Sequence, residues 1–188
     1  MPMPPLPDLD TLSMDDVAAR IAAHSNAPVE QWHPTHCGDS EMRIARDGTW
    51  FHQGSPIGRQ AMVRKFASIL RREDDGGYVL VNPGEKLDIA VEDAPFVAVK
   101  MKVADGRIAF QTNLGDLVIA GPDHPLRFEQ RDDGPHPYVH IRGGLEALVA
   151  RAVYYELANL ALASDDSPQG VWSDGAFFAL EPDGEAPA

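Results

Sequence analysis

The chain has 188 residues, 44% of them hydrophobic and 24% charged, and a formal net charge of −13. This is a globular composition, with enough residues for one large domain or two small ones. The acidic balance is wrong for nucleic acid or an anionic membrane surface, no apolar run nears the ~20 residues of a spanning helix, and a single cysteine, Cys37, leaves no internal disulfide and suits a reducing cytoplasm.

The opening MPMPPLPDLD lacks the basic-then-apolar order of a secretory signal, so a cytoplasmic location is expected. LSMDDVAARIAAH (12–24) reads as a short helix: Ser13 caps it, Asp16 completes a capping box, and Leu12 and Val17 have the spacing of a hydrophobic staple. Residues 25–41 form an irregular connection carrying Trp32, His33, His36 and Cys37. MRIAR-DG-TWFHQ (42–53) predicts a hairpin around Asp47-Gly48. GSPIGRQAMVRKFASILRR (54–72) predicts a long helix capped by Ser55 with Pro56 at its first position, and an apolar stripe of Met62, Val63, Phe66, Ile69 and Leu70. YVLV-NPGE-KLDIAVE (78–92) and FVAVKMKVA-DG-RIAFQTN (96–113) predict two more hairpins. In the latter, Val99, Met101, Val103, Ile108, Phe110 and Thr112 share a core face, while Lys100, Lys102, Arg107 and Gln111 face water. Short strands follow at 116–120 and 125–141, then a second long helix at 143–163, apolar over much of its circumference and so central to a core or set against a partner chain. A last hairpin spans 170–180.

The pattern around the first long helix (42–70) echoes that around the second (126–157): strand, turn, aromatic–apolar–His, glycine, helix. The expected fold is therefore α+β, with two similar subdomains, each of β-hairpins packed around one long helix. The expected divisions are an N-terminal segment at 1–30 with its short helix, subdomains at 31–94 and 95–180, and an acidic tail at 181–188.

Three groups of residues have chemistry to offer. In a two-residue hairpin at Asp47-Gly48, Ala45 faces Trp50, Ile44 faces Phe51 and Arg43 faces His52. Arg43, Trp50 and His52 then share the side away from the core, where Trp50 is either covered by the N-terminal segment or a platform for a ligand or partner. The helix start GSPIGR offers free N–H groups, Ser55 and an inward Arg59, the parts of an anion site; the alternative for Arg59 is an ion pair with Asp39, Glu41 or Glu92. HPTHC (33–37) with Asp39 has metal-ligand residue types but not the paired spacing of a zinc site, and Cys37 reads as a small buried residue. Arg64, Lys65, Arg71 and Arg72 read as a solvated face. No Gly-x-Ser-x-Gly or dinucleotide fingerprint occurs.

The stretches CGDSEMRIARDGTWFHQGSPIGR, FASILRREDDGGYVLVNPGEK and VEDAPFVAV resemble the bacterial family catalogued as domain of unknown function 1285, over roughly residues 30 to 160. The resemblance implies a two-subdomain α+β protein with repeated structural motifs and a suspected role in signal transduction. It brings no catalytic residue. LVNPGEK departs from the family pattern, which has Thr-Pro-Val at this turn, so the roles of Asn82 and Gly84 stay open.

The functional expectation is a non-catalytic cytoplasmic binding or regulatory module with no cofactor and no bound metal. It would recognise a small anionic ligand or a protein through Arg43, Trp50, His52, Ser55 and Arg59. The alternatives are a hydrolase-like enzyme using His52 or His36 as a base, and a homo-oligomer assembled through the second helix with Tyr154 and Tyr155.

Overall fold

The computed structural model describes residues 5–180, which divide into two compact units. The first holds His24–Pro95 and Gly143–Leu145; the second holds Leu6–Ala23, Phe96–Arg142 and residues 146–180, and the acidic tail expected at 181–188 lies outside the described residues. Both are sheet proteins. In the first, β1 (His36–Ile44), β2 (Trp50–His52) and β3 (Ser55–Pro56) run outward as a meander, and β4 (Leu70–Arg72), β5 (Tyr78–Val81) and β6 (Glu85–Val91) run back inward. The sheet order is β3-β2-β1-β6-β5-β4, with β1 and β6 parallel at its centre.

The second unit repeats this plan. Strands β7 (Phe96–Ala104), β8 (Arg107–Thr112) and β9 (Leu117–Ile119) run outward, and β10 (Leu126–Arg131), β11 (Gly134–Arg142) and β12 (Leu145–Val149) return. The order is β10-β11-β12-β7-β8-β9, again with the first and sixth strands parallel at the centre. The repeat is thus carried by the sheets. Helix α2 (Gln60–Ser68) lies between the third and fourth strands of its unit, whereas α3 (Arg151–Leu162) follows the sixth. The two helices that look alike in the sequence are not equivalent in the fold, and neither unit is built around a helix.

Both long helices are shorter than their sequences suggest. Ser55 and Pro56 pair with His52 and Phe51 as strand β3 instead of capping α2, and Leu70–Arg72 leave the helix to pair with β5. Arg59 is the N-cap residue, with no side-chain cap. At 145–149, burial alternates with period two: Leu145, Ala147 and Val149 are buried and Glu146 and Leu148 partly so. That run sits beside β7 as a strand, which accounts for the apparent spread of apolar residues around a single long helix.

Helix α1 (Met14–Ala23) starts with the expected capping box: the Asp16 amide donates to Ser13 Oγ at 3.1 Å, and Asp16 Oδ2 accepts from the Ser13 amide and hydroxyl. Its stripe belongs to the second unit. Leu9, Met14 and Val17 are buried with Ala109, flanked by Ile21, Leu117 and Ile119. Lys100, Lys102, Arg107 and Gln111, expected to face water, form the seat of this segment: Lys100 Nζ reaches Asp8 at 2.6 Å and Asp10 at 3.1 Å, Lys102 donates to the Leu12 carbonyl, Gln111 to the Pro7 carbonyl, and Arg107 pairs with Asp15 at 3.5 Å. Conversely Val99 and Val103, expected in the core, are exposed; a register shift between Ala98 and Lys100 breaks the alternation at Val99, whereas Val103 stays in register opposite Ile108. A last hairpin, β13 (Gly170–Ser173) with β14 (Ala176–Ala179), is tied in by Ser173 Oγ, which accepts from the Ile108 amide and donates to the Ala120 carbonyl.

In the first unit, Arg71 is 6% exposed rather than solvated. Its guanidinium donates to the Val29 and Trp32 carbonyls at 2.7 and 2.8 Å and to Glu73 at 2.7 Å, fastening the irregular 25–35 connection to β4. Arg71→Ala leaves those two carbonyls and a carboxylate without their donor, and is expected to cost about 3 kcal/mol in urea unfolding. The N-terminal segment of the second unit has a pH signature. Hydrogen bonds from Lys100 to Asp8 and from Ser13 to Asp16 hold both carboxyls below their ordinary value. Their contribution is full above about pH 4 and is lost as pH falls through the lowered folded values. Hydrogen bonds to Asp8 and Asp10 raise Lys100, so its contribution is full below about pH 10.4 and is lost as pH climbs through the raised value. The protection of amides in residues 9–22, taken relative to their intrinsic exchange rate at each pH, is therefore expected to fall at both extremes and in high salt.

Candidate functional site

The predicted site depends on the hairpin at Asp47-Gly48, and its register differs by one residue from a two-residue turn. The Ala45 amide donates to the Thr49 carbonyl, the Gly48 amide donates to the Ala45 carbonyl, and Gly48 has φ 88°. This three-residue loop ends in a left-handed glycine. The resulting pairs are Met42 with His52, Arg43 with Phe51 and Ile44 with Trp50. A one-residue slip exchanges the faces. Trp50 is therefore core, 1% exposed beside the fully buried Ile44, and it shares no face with Arg43.

Arg43 instead lies over the Phe51 ring, 4.3 Å from its centroid, and forms an ion pair with Glu92. Glu92 also accepts from the Arg46 amide at 3.0 Å, so it closes the hairpin's end and neutralises Arg43. His52, Ser55 and Arg59 are exposed on β2, β3 and the loop after it, and Arg59 points to solvent rather than inward. Of the five expected binding residues, the structure removes Trp50 to the core and commits Arg43 to a carboxylate. Cys37 is exposed, not buried, and among the described residues no three His, Cys, Asp or Glu side chains gather as a metal site.

The concave surfaces lie elsewhere. In the first unit, a cleft of 340 Å³ is lined by Glu73, Asp74, Asp75, Tyr78, Val79, Lys86 and Asp88 with Gly77. The β5–β6 register brings Val79 opposite Asp88 and Val81 opposite Lys86, and Glu73, already held by Arg71, lies 3.9 Å from Lys86 Nζ. In the second unit, a cleft of 210 Å³ is lined by Ala18, Ile21, Ala22 and Ile119 together with Gly121, Asp123, His124 and Asp174. Its floor is ordered. The Gly121 and His124 backbones exchange two bonds at 3.1 Å, His124 Nδ1 is 3.0 Å from the His140 carbonyl, and His140 Nδ1 is 3.1 Å from the Asp123 carbonyl. A carbonyl only accepts, so both Nδ1 atoms carry the proton.

Neither cleft was legible in the sequence. The DDGG run at 74–77 reads as a breaker, and PDH at 122–124 as a loop. The signal that could have located the second cleft is the α1 stripe at positions 14, 17, 18, 21 and 22: it is wider than the two buried residues, Met14 and Val17, need.

The face assignment has a direct consequence for stability. Trp50→Ala is expected to cost roughly 3–5 kcal/mol, as for a large core side chain. His52→Ala and Arg59→Ala are expected to stay within about 0.5 kcal/mol. Denaturant unfolding of the three variants checks the register.

Among curated proteins none matches this chain. A crystal structure of a DUF1285 family protein from Silicibacter pomeroyi DSS-3 is similar to it with a TM-score of 0.78 and 47% identity, covering 91% of this chain and 97% of that one. A DUF1285 family protein from Shewanella baltica OS155 is similar with a TM-score of 0.51 and 30% identity, covering 63% of this chain and 90% of that one. The N-terminal domain of DUF1285, a domain of unknown function, matches residues 27–94, and the C-terminal domain of the same family matches 95–180. With both domains matched in order, one to each half of the chain, this protein belongs to the DUF1285 family.

Proposed function

We propose that this protein is a binding module that takes up a small ligand carrying positive charge and reports its presence, as a regulatory protein does, without converting it. The observation that carries this reading is the charge of the clefts. Four carboxylates line the first against one lysine, and Asp123 and Asp174 line the second with no lysine or arginine among its lining residues. Concave, partly apolar surfaces with a few convergent polar groups are where small ligands bind, and the sign of those groups sets the sign of the ligand. The anionic ligand suggested by the sequence loses its support with Trp50 in the core and Arg43 paired to Glu92. His36 and His52, the candidate bases of a hydrolase, are exposed and line neither cleft.

A thermal-shift screen of the full chain tests the sign. Organic amines and divalent cations form one set; phosphates, nucleotides and carboxylic acids form the other. A ligand present at about ten times its Kd is expected to raise Tm by roughly 3 °C. Stabilisation from the cationic set supports the reading, and stabilisation from the anionic set alone overturns it.

A second reading has its own observation. Tyr155 and Leu162 on α3 are 55% and 62% exposed, and at a spacing of seven they share one helix face, opposite in role to the buried Val153, Leu157 and Ala161. That face suits a protein partner or a second copy of the chain. Light scattering of wild type and Tyr155→Glu distinguishes the cases: a dimer in wild type that dissociates in the variant supports self-association, and a concentration-independent monomer removes it.

A further inference from the structure

The two clefts are not equivalent in what they can hold. The second has a built division of labour. Helix α1 and β9 supply the apolar lining residues Ala18, Ile21, Ala22 and Ile119, and two turns supply polar residues to the same cleft. Among the described residues neither the Asp123 nor the Asp174 carboxylate forms an ion pair. The turn between β13 and β14 brings Asp174 in: its amide donates to the Gly106 carbonyl at 3.0 Å, and its side chain packs against Gly121, where an added Cβ would lie 3.1 Å from the Asp174 Cβ and 3.2 Å from its Oδ2. Gly121 thus allows the close approach of this side chain. His124 is oriented by the His140 carbonyl at Nδ1, and Nε2 is its remaining ring nitrogen, an acceptor when Nδ1 alone carries a proton.

We infer that this cleft binds a primary ammonium group carried on a compact apolar body, a deepening that rests on the cation-binding reading above. An R–NH₃⁺ head has three N–H donors and no acceptor. The cleft presents three acceptors of matching kind: the Asp123 carboxylate, the Asp174 carboxylate and His124 Nε2. Charge-assisted bonds to the two carboxylates are the strong ones, and the alkyl or aryl body lies against the alanine and isoleucine wall, where it is removed from water. At 210 Å³ the cleft is below the ~300–1,000 Å³ of drug-sized sites, which restricts the body to a few carbons or a single ring. A quaternary ammonium has no N–H to give, and a divalent cation makes no use of the apolar wall.

The wall is also the mechanism of response. Ala18, Ile21 and Ala22 belong to the N-terminal helix, which is fastened to β7 and β8 by exposed and half-exposed ion pairs at Lys100 and Arg107. A ligand that binds only when α1 is docked must suppress its undocking by the factor 1 + [L]/Kd. At ten times Kd, exchange of the α1 amides is expected to slow about tenfold.

The experiment uses the full chain and n-butylammonium, with tetramethylammonium, magnesium and n-butyrate as comparison probes. Saturable NMR shifts at His124, Ala22 and Ile119 with butylammonium alone, together with slowed α1 exchange, are the expected result. Asp123→Asn and Asp174→Asn alter exposed turn residues, so both variants keep the fold; each is expected to weaken butylammonium at least tenfold. Equal response to tetramethylammonium or magnesium, or undiminished binding in both variants, overturns the inference. Shifts confined to the Glu73–Asp88 cleft overturn it while leaving the cation-binding reading standing. No response at either cleft to any cation ends both.

Discussion

In each unit the first strand and the sixth lie side by side, parallel, at the centre of the sheet. A parallel pair cannot be closed by a hairpin; the chain must travel out and come back. Here it spends that journey making the rest of the sheet, three strands outward and three inward. The central pair is therefore the last to be completed and the one on which both meanders hang. It also dictates that the passage from third to fourth strand must carry the chain from one edge of the sheet to the other.

The two units solve that passage differently, and the difference produces their surfaces. In the first, residues 57–69 make the crossing and contain α2, which buries Val63 and Ala67. In the second, residues 120–125 make it with no helix, only the Gly121–His124 turn. A helix is still needed to cover the outer strands β8 and β9, and it comes from the N-terminus: α1, separated in sequence from the sheet it covers by the whole first unit. An imported helix meets a short turn imperfectly, and the 210 Å³ cleft lies between them. Covering this sheet from a distance also requires specific fastening, which explains why Lys100, Lys102, Arg107 and Gln111 alternate with apolar residues and yet do not face bulk water.

Much of this fold was legible because hairpins are local. Asp105-Gly106 and Asp174-Gly175 both have positive φ at the two turn residues and make two-residue turns with the register that the dipeptide implies. Asp47-Gly48 shows the limit. The same dipeptide there puts only Gly48 at positive φ and adds Arg46 to the loop, and one residue of slip reverses which of Arg43 and Ile44 accompanies Trp50. The outcome is decided by the burial of Trp50 and by Glu92, just past the end of β6 and almost fifty residues away, which accepts from the Arg46 amide and the Arg43 side chain. No local pattern carries that information. The helix lengths failed for a related reason: LEALV at 145–149 suits helix and strand equally, and only the distant β7 beside it selects the strand. The family resemblance was legible because whole phrases carry it, but it speaks to architecture and leaves the chemistry of the clefts open.

The surplus of carboxylates in the clefts follows from where the cations went. Of the basic residues that suggested an anion site or a solvated basic face, Arg71 is consumed by two carbonyls and Glu73, and Arg43 by Glu92 and Phe51. In the second unit Lys100, Lys102 and Arg107 are consumed by the N-terminal segment, and Arg127 by Glu129 and Glu146. With 16 lysines and arginines against 29 aspartates and glutamates, a fold that uses its cations as fasteners leaves carboxylates in surplus. Those that remain on convex surface are simply solvated. Asp123 and Asp174 differ from them because they line a concavity together with Ala18, Ile21, Ala22 and Ile119, where a positive charge complements the carboxylates and an apolar body, not the charge itself, suits the alanine and isoleucine side chains.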